Sequence, residues 1–286
     1  MAKITAMSSL AYSHYTLREA LPRIAARGFG RVEIATFESY CFHFDPSGAS
    51  ASELKLMFSE LGLSPVALNW SPGLAVAYDA GTIDPWVDAF ERKIPEAAEA
   101  GIPMMTMHFG ERNERGDQEA QLATAVGVYD RVADYAARFG VRMVLEVPHL
   151  YTIHWSPAAV LWIFDHLSSP NVGALIDSSH WGIIGYDIDE FLGRLGDKVW
   201  HIHLRDAKGP DTADRHQELE LTPGQGKVDF RKLALALDSV GYNADVSTEF
   251  EYRDVSLEEI EHQCDLGLAA LVQSGWEVAS TVRYSG

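Results

Sequence analysis

The chain has few cysteines and few basic residues. Cys41 and Cys264 are its two cysteines among 286 residues, which is too few for a disulfide framework or a paired-cysteine metal site. Lysine and arginine together number 23 against 41 aspartates and glutamates, so the formal net charge is −18. Nucleic-acid-binding proteins gain much of their affinity from basic side chains that neutralise phosphates. The acidic balance therefore argues against a nucleic-acid partner.

Long hydrophobic runs are also absent from the sequence. Hydrophobic residues make up 47% of the chain, yet no apolar stretch reaches the roughly 18 residues that a membrane-spanning helix needs. The N-terminal sequence MAKITAMSSLAYSHY lacks a basic region followed by an apolar signal core. From these absences we expect a cytoplasmic protein that has no membrane partner.

What the sequence does contain is an alternation of strand-like and helix-like segments. The strand candidates are short, apolar and mostly non-alternating, as parallel strands buried on both faces should be. They are KITAMSS, RVEIA, SPVALNW, PMMTMHF, RMVLEV, VGALID, VWHIHL and ADVSTEF. The predicted helices are Thr16–Arg27, Ser52–Leu61, Pro85–Ala100, Gln121–Phe139, Pro157–Leu167, Ile188–Leu195, Phe230–Val240 and Leu257–Val272.

Local signals support several of these boundaries. Thr16, with Glu19 three residues later, has the pattern of a capping box at the start of the first helix. Other positions carry a glycine where a helix should end, each just before a strand. These glycines are Gly28, Gly62, Gly101, Gly140 and Gly241.

Eight strand–helix units without a linker predict an α/β fold, a single (β/α)8 TIM barrel that spans residues 1–286. A doubly wound open sheet is the alternative architecture. It is less favoured because MSSLAYSH, at the end of the first strand, is not a glycine-rich phosphate-binding loop.

Four ionisable residues mark the ends of the fifth to eighth predicted strands. They are Glu146 in MVLEVPH, Asp177 in ALIDSSHW, His203 in VWHIHLRD and Glu249 in DVSTEFE. Functional groups of barrel enzymes gather at the C-terminal strand ends, so we expect these four side chains at one mouth. Buried like charges are unfavourable unless they are paired or bind a cation. Three carboxylates and one imidazole suit Mn²⁺, Mg²⁺ or Co²⁺, with Zn²⁺ as a further option. A network of hydrogen bonds at the barrel rim is the alternative interpretation.

The motifs around these residues resemble the sugar-phosphate isomerase/epimerase superfamily, the TIM barrels related to xylose isomerase. The resemblance covers almost the whole chain and is sharpest in LEVPH, LIDSSHW, HIHLRDAKG, TPGQGKVDFRKL and STEFE. It implies one divalent metal ion, Mn²⁺ first, bound by all four residues. It also implies a sugar isomerase or epimerase acting on a small keto-sugar or related polyol. Glu146 and Glu249 would then shuttle a proton next to a carbonyl, through an enediolate that the metal stabilises.

Further residues near the same strand ends are candidates for substrate contacts. The resemblance implies that His180 contacts either substrate oxygens or a second metal ion. Arg205 and Lys208 in HLRDAKG are expected to bind a hydroxyl or phosphate, or else to form a salt bridge with Asp206 or Glu251. Glu33 is expected either to orient a ligand or to pair with an arginine. The remaining candidates are two histidines, His108 and His216, and two tryptophans, Trp155 and Trp181. The aromatic faces of the tryptophans could pack on a sugar.

Two other functions remain open. A lyase or dehydratase acting on a keto-sugar, keto-inositol or keto-glycoside could use the same metal and base for β-elimination. Less favoured is a DNA-repair enzyme of the endonuclease IV type, which binds three zinc ions. That family resembles the chain at Asp214 and His216 but has a zinc-binding histidine where this chain has Asn69.

The resemblance also bears on partners. It implies a small carbohydrate as the substrate. Because barrels of this type commonly associate, we expect a homo-oligomer, either a dimer or a tetramer.

Overall fold

The computed structural model describes residues 2–44, 46, 48–73, 80–112, 116–209 and 220–280. Eight parallel strands form a closed barrel, in which each pairs with the next along the chain and the last pairs with the first. This barrel confirms the predicted fold. Its strands are β1 (Ala6–Ser8), β2 (Arg31–Thr36), β3 (Ser64–Trp70), β4 (Met104–Met107), β5 (Arg142–Glu146), β6 (Val172–Asp177), β7 (Val199–Leu204) and β8 (Asp245–Thr248).

Helices follow the strands and cover the outside of the barrel. Within the described ranges they are α1 (Leu17–Ala26), α2 (Ala51–Leu61), α3 (Ala80–Glu99), α4 (Gln118–Ala137), α5 (Pro157–His166), α6 (Ser178–Ile184), α7 (Ile188–Leu195), α8 (Phe230–Ser239) and α9 (Leu257–Gln273). The capping box of Thr16 and Glu19 is present. The glycines predicted to end helices all have positive φ, as Gly62 does at 66° after α2. None of these helices is long and apolar enough to cross a membrane.

The structure departs from the predicted elements at two places. The first predicted strand is divided at Thr5: Lys3–Ile4 pairs with Glu277–Val278 in a separate two-stranded sheet, and only the residues after Thr5 enter the barrel. Helix α6 was not predicted. Asp177 caps it by accepting hydrogen bonds from the backbone amides of Ser179 at 2.6 Å and His180 at 3.3 Å.

The alternation of side chains along the strands places polar groups above an apolar layer inside the barrel. Val144 and Leu175 belong to a small buried apolar cluster. Because strand side chains alternate between the two faces, Glu146 and Asp177, two residues further on, point to the same side. Residues of the other strand face, such as Leu145, instead pack in the large core beneath the helices.

Candidate metal centre at the barrel mouth

The four predicted metal ligands converge at the C-terminal mouth. Glu146 and Asp177 end β5 and β6, His203 is the penultimate residue of β7, and Glu249 directly follows β8. Each offers one ligand atom, and these atoms all lie within 4.8 Å of one another. All four side chains are at most 3% exposed. We call this set the ligand quartet; its role in metal binding stays a prediction.

Glu33 fixes the orientation of the quartet's histidine. This carboxylate is fully buried and accepts from His201 Nε2 at 2.6 Å and His203 Nε2 at 3.0 Å. The opposite nitrogen of His203, Nδ1, lies 3.3 Å from Glu249 Oε1. Among the described residues Glu33 thus pairs with two histidines rather than with an arginine, and its role in orienting a ligand stays a prediction. A carboxylate behind a histidine in this way fixes its tautomer and makes it a better metal ligand.

Charge coupling accompanies this geometry. Burial opposes a charge on His203, but Glu249 and Glu33 outweigh it and raise the pKa of the imidazole well above its usual value. Burial likewise favours neutral Glu33, yet His203 and His201 bring the pKa of this carboxyl below its ordinary value. The two groups stabilise each other's charged forms.

The donor atoms of the quartet fit a divalent cation. Among the described residues, Glu146 Oε1, Glu249 Oε2 and His203 Nδ1 are buried without a hydrogen-bond partner. Buried polar atoms in folded proteins are nearly always paired, so three such atoms within one ligand set indicate that a further group binds there. Three carboxylates and one imidazole match Mn²⁺ or Mg²⁺ and also admit Zn²⁺.

Arg205 lies among the carboxylates of the mouth. Its Nε donates to Asp177 Oδ2 at 2.8 Å and lies 3.3 Å from Glu249 Oε2. Its terminal nitrogens lie 3.8 Å from Glu146 Oε1 and 3.5 Å from Glu251 Oε2. The guanidinium therefore offsets part of the negative charge, and the expected salt bridge with Glu251 is present.

The three quartet carboxyls differ in their pKa. Burial, together with the charges of Glu249 and Asp177, raises the pKa of Glu146 well above its usual value. The pKa of Glu249 is also raised, mainly by burial, although Arg205 opposes the shift. Burial acts the same way on Asp177, but the guanidinium of Arg205 and the nearby imidazoles reverse it and lower its pKa. Before a metal binds, a proton is therefore held more readily by the glutamates than by Asp177.

A cavity of about 290 Å³ opens above the quartet. One wall is aromatic, with the rings of Phe37 and Tyr40 stacked at 5.4 Å. The Arg253 guanidinium lies 4.6 Å from the Tyr40 ring centroid, and its Nε donates to Glu251 at 3.0 Å. The residues that line the cavity are Leu10, Phe37, Tyr40, Asn69, Ser71, Gly73, His108, Glu146, His149, Tyr151, His180, Arg205, Glu220, Glu249, Glu251 and Arg253.

Two of the predicted substrate-contact histidines line this cavity. The Leu150 amide donates to His180 Nδ1 at 3.4 Å, and His180 Nε2 lies 3.5 Å from Glu146 Oε1. His108 Nε2 lies 3.6 Å from Glu146 Oε2. Burial is the main cause that lowers the pKa of His108 to about 4 and that of His180 to about 3, in the second case against the opposing charge of Asp177. Both imidazoles are therefore neutral near pH 7.

The other candidates for substrate contacts in the described residues do not line the cavity. Trp181, predicted to contact substrate, is buried and donates to the Tyr186 carbonyl at 2.9 Å. It follows His180 on α6, and consecutive helical residues point about 100° apart, so only the histidine faces the cavity. Trp155 does not line the cavity either, because its ring packs against the Arg112 guanidinium at 3.7 Å. Lys208 is exposed away from the cavity.

Three further outcomes concern His216, Asn69 and the aromatic wall. His216 lies outside the described residues. Asn69, in place of the repair enzymes' histidine, donates its amide to Glu249 Oε1. Sequence reasoning missed Phe37, Tyr40 and Arg253 as lining residues. The available signal was their position in the segments after β2 and β8, since loops at the C-terminal strand ends build the sites of TIM barrels.

Comparison with known proteins agrees with this architecture. Residues 21–270 match the family described as xylose isomerase-like TIM barrel, and the chain belongs to that family. It is 28% identical over 140 residues to an inosose isomerase of Bacillus subtilis, covering 48% of this chain and 50% of the relative. The match thus spans about half the length of that relative.

Two longer matches complete the comparison. The chain is 25% identical over 243 residues to an L-ribulose 3-epimerase of Methylomonas sp., covering 81% of this chain and 77% of the relative. A crystal structure of the IolI protein with a bound zinc atom superposes with a TM-score of 0.78 at 20% identity, covering 96% of this chain and 98% of the other. At that identity the structural likeness shows the fold alone.

Proposed function

We propose that this protein is a divalent-metal-dependent sugar isomerase or epimerase that moves a proton at a carbon next to a carbonyl. The observation that carries the proposal is the convergence of Glu146, Asp177, His203 and Glu249, whose ligand atoms lie within 4.8 Å of one another, beside a cavity that Glu146 and Glu249 line. The names of the relatives, an inosose isomerase and a ketose epimerase, support a small keto-sugar or related polyol as substrate.

The four ligands would hold one ion, for which we propose Mn²⁺. A bound divalent ion supplies Lewis-acid stabilisation of the negative charge that develops on substrate oxygens as the proton leaves. The zinc atom bound in the crystal structure of the IolI protein, which has the same fold, supports a divalent ion for this chain. The surplus of oxygen ligands over nitrogen ligands favours Mn²⁺ or Mg²⁺ for this chain.

Glu146 and Glu249 are the proposed proton-transfer groups. Both line the cavity, and they come from β5 and β8, which are not neighbours in the barrel. They can therefore approach a bound substrate from different directions, as removal and return of a proton require. The Asn69 amide donates to Glu249 Oε1 and so holds that carboxylate in place.

The other polar groups of the cavity would bind and orient the substrate. His180 Nδ1 accepts from the Leu150 amide, so neutral His180 carries its proton on Nε2, which faces Glu146 and can donate to a substrate oxygen. Arg205 already serves the carboxylates of the mouth, and we propose that it also contacts a substrate hydroxyl. The aromatic wall of Phe37 and Tyr40 offers an apolar face for the C–H side of a sugar.

The test is solvent exchange during turnover. The protein, loaded with Mn²⁺, is incubated in D₂O with a panel of ketoses and keto-inositols, and proton NMR follows both exchange and product formation. We expect one substrate to gain deuterium at the carbon next to its carbonyl. Glu146→Gln and Glu249→Gln should each lower this exchange by about 10²–10⁴-fold, the usual contribution of a general acid or base.

The same experiment has a matched control and separates the alternatives. His262→Ala changes an exposed histidine on α9 and should leave the exchange unchanged. Loss of water or of a glycosidic group from the substrate would instead identify a lyase. Absence of exchange from every ketose and keto-inositol in the panel would reject the proposal.

A further inference from the structure

Asn69 is a buried polar residue of the cavity that lies outside the ligand quartet. It is the penultimate residue of β3, is 2% exposed and lines the cavity. One hydrogen of its amide donates to Glu249 Oε1. We propose that the other hydrogen donates to an oxygen of the substrate, so that one side chain holds both the proton-transfer group and the molecule on which that group acts. The part played by Glu249 rests on the proposed function, whereas the binding of an oxygen does not.

The orientation of the Asn69 amide follows from its neighbours. The oxygen and nitrogen of an amide differ little in shape, so hydrogen bonds decide which atom faces which partner. A carboxylate that binds a metal is ionised and only accepts, so Nδ2 must face Glu249. On the other side, the fully buried Thr106 hydroxyl of the neighbouring β4 accepts from the Trp70 backbone amide at 3.0 Å and donates to Asn69 Oδ1 at 3.1 Å. The two contacts together fix the direction of both amide hydrogens.

The second amide hydrogen is left for another acceptor. An asparagine nitrogen carries two hydrogens, and within the ranges that the structure describes the bond to Glu249 uses one of them. Buried donors in folded proteins are nearly always paired. Because Asn69 lines the cavity, the acceptor that completes its pairing is an oxygen of a molecule that enters this space. A polyhydroxylated substrate supplies such oxygens.

The geometry of an amide nitrogen sets the distance between its two acceptors. The two hydrogens point about 120° apart, and each acceptor lies about 2.9 Å from the nitrogen, so the two acceptors lie about 5 Å apart. One of them is Glu249 Oε1. The carbon that carries the bound substrate oxygen can then lie about 3.5 Å from that carboxylate, a separation suited to reaction. Asn69 thus sets the position of the substrate relative to Glu249.

The first experiment observes the Asn69 amide directly by NMR. ¹⁵N-labelled protein saturated with Mg²⁺, a diamagnetic ion, is titrated with xylitol, sorbitol and myo-inositol, which are polyols without a carbonyl. The spectrum of Asn69→Leu identifies the two amide protons by their loss. We expect one proton to lie downfield in the free protein because it is bonded to a carboxylate, and the other to move downfield when a polyol binds.

A second asparagine provides the matched control. Asn171 lies just before β6, and its Nδ2 donates to the carbonyls of Ala133 at 2.9 Å and Val141 at 2.8 Å, so both of its hydrogens are used inside the protein. In Asn171→Leu the Asn69 protons should respond to polyols as in the wild type. A polyol that shifts other cavity residues but neither Asn69 proton would overturn the inference, and so would the failure of all three polyols to bind.

The second experiment measures deuterium exchange on the ketose that the enzyme turns over. Asn69→Leu should raise KM and lower kcat, with kcat/KM reduced about 10²–10³-fold, the usual effect of removing one oriented donor. Thr106→Val keeps Asn69 but loses the hydroxyl that orients it, so its loss should be smaller, and Thr106→Ser should restore the wild-type rate. Wild-type exchange by Asn69→Leu would contradict the inference. If circular dichroism shows that Asn69→Leu is unfolded, equal rates for the two Thr106 variants would be the contrary result.

The two experiments separate this inference from the proposed function. Movement of the Asn69 resonance by a polyol, without exchange on any ketose, would retain the oxygen-binding site and reject the isomerase. Exchange by an enzyme whose Asn69 protons respond to no polyol would do the reverse.

Discussion

Glu33 gives the sharpest test of how the barrel prepares its metal site. The residue is fully buried, and its carboxylate accepts from both His201 and His203. Replacement by glutamine keeps the shape but removes the charge. It also leaves one amide oxygen, which can accept from the two imidazoles less strongly than a carboxylate can. We therefore expect Glu33→Gln to weaken metal binding without removing any ligand.

The magnitude follows from two opposing effects. Loss of the carboxylate lowers the pKa of His203, since Glu33 contributes to raising it, so fewer protons compete with the metal. The weaker hydrogen bond also gives the ring more freedom to rotate and makes Nδ1 a poorer metal ligand. Mutation of such supporting groups typically costs 10–100-fold in metal affinity, or about 1.4–2.8 kcal/mol, so the second effect should dominate.

The assay is competition with a fluorescent chelator for Mn²⁺ at constant pH. Glu33→Asp should retain part of the affinity for Mn²⁺, because aspartate keeps the negative charge although its side chain is shorter. Glu38→Gln, an exposed glutamate in the segment after β2, is the control and should bind as the wild type does. If Glu33→Gln bound Mn²⁺ as tightly as the control, the idea that Glu33 positions His203 would be refuted.

Three further predictions concern stability. A Cβ on Gly173 would lie 2.1 Å from the indole of Trp200, so Gly173→Ala should lower the free energy of unfolding by about 1–3 kcal/mol through overpacking. Urea denaturation measures this loss of stability, and an unchanged midpoint would contradict the prediction. Burial lowers the pKa of His43 below 6.5. The unfolded state therefore takes up the proton first, and the contribution of His43 to stability is complete above pH 6.5 and decreases below it. The NMR chemical shifts of the imidazole should show that His43 is still neutral at a pH just below 6.5. A titration midpoint at or above pH 6.5 would contradict this prediction. Removal of metal by EDTA should lower the melting temperature, and Mn²⁺ at a hundred times its Kd should restore about 2.7 kcal/mol of unfolding free energy. A melting temperature that changes with neither EDTA nor Mn²⁺ would argue against the metal site.

The barrel and the quartet could be predicted from sequence because each depends on a short local pattern. A buried apolar run followed by a polar residue locates the end of a strand, and the closed barrel then brings the ends of β5 to β8 together. For the same reason Glu146 and Asp177 were identifiable although 31 positions separate them in the chain. No knowledge of side-chain packing was needed.

Other contacts depend on packing that a single strand does not reveal. Glu33 lies inside the apolar run RVEIA, and nothing in that run indicates that it meets two histidines of β7. The contrast between His180 and Trp181 depends on α6, a helix of seven residues that is not among the predicted helices. The split of the first strand at Thr5 likewise results from pairing with residues near position 277.

The location of the aromatic wall has a consequence for altering the protein. Phe37 and Tyr40 belong to the segment after β2, whereas the quartet comes entirely from β5 to β8. Substitutions in that segment can reshape the space available to a substrate while the groups proposed to move the proton stay in place. A library confined to the segment after β2 is thus a direct route to barrels that differ in substrate preference and keep the proposed chemistry.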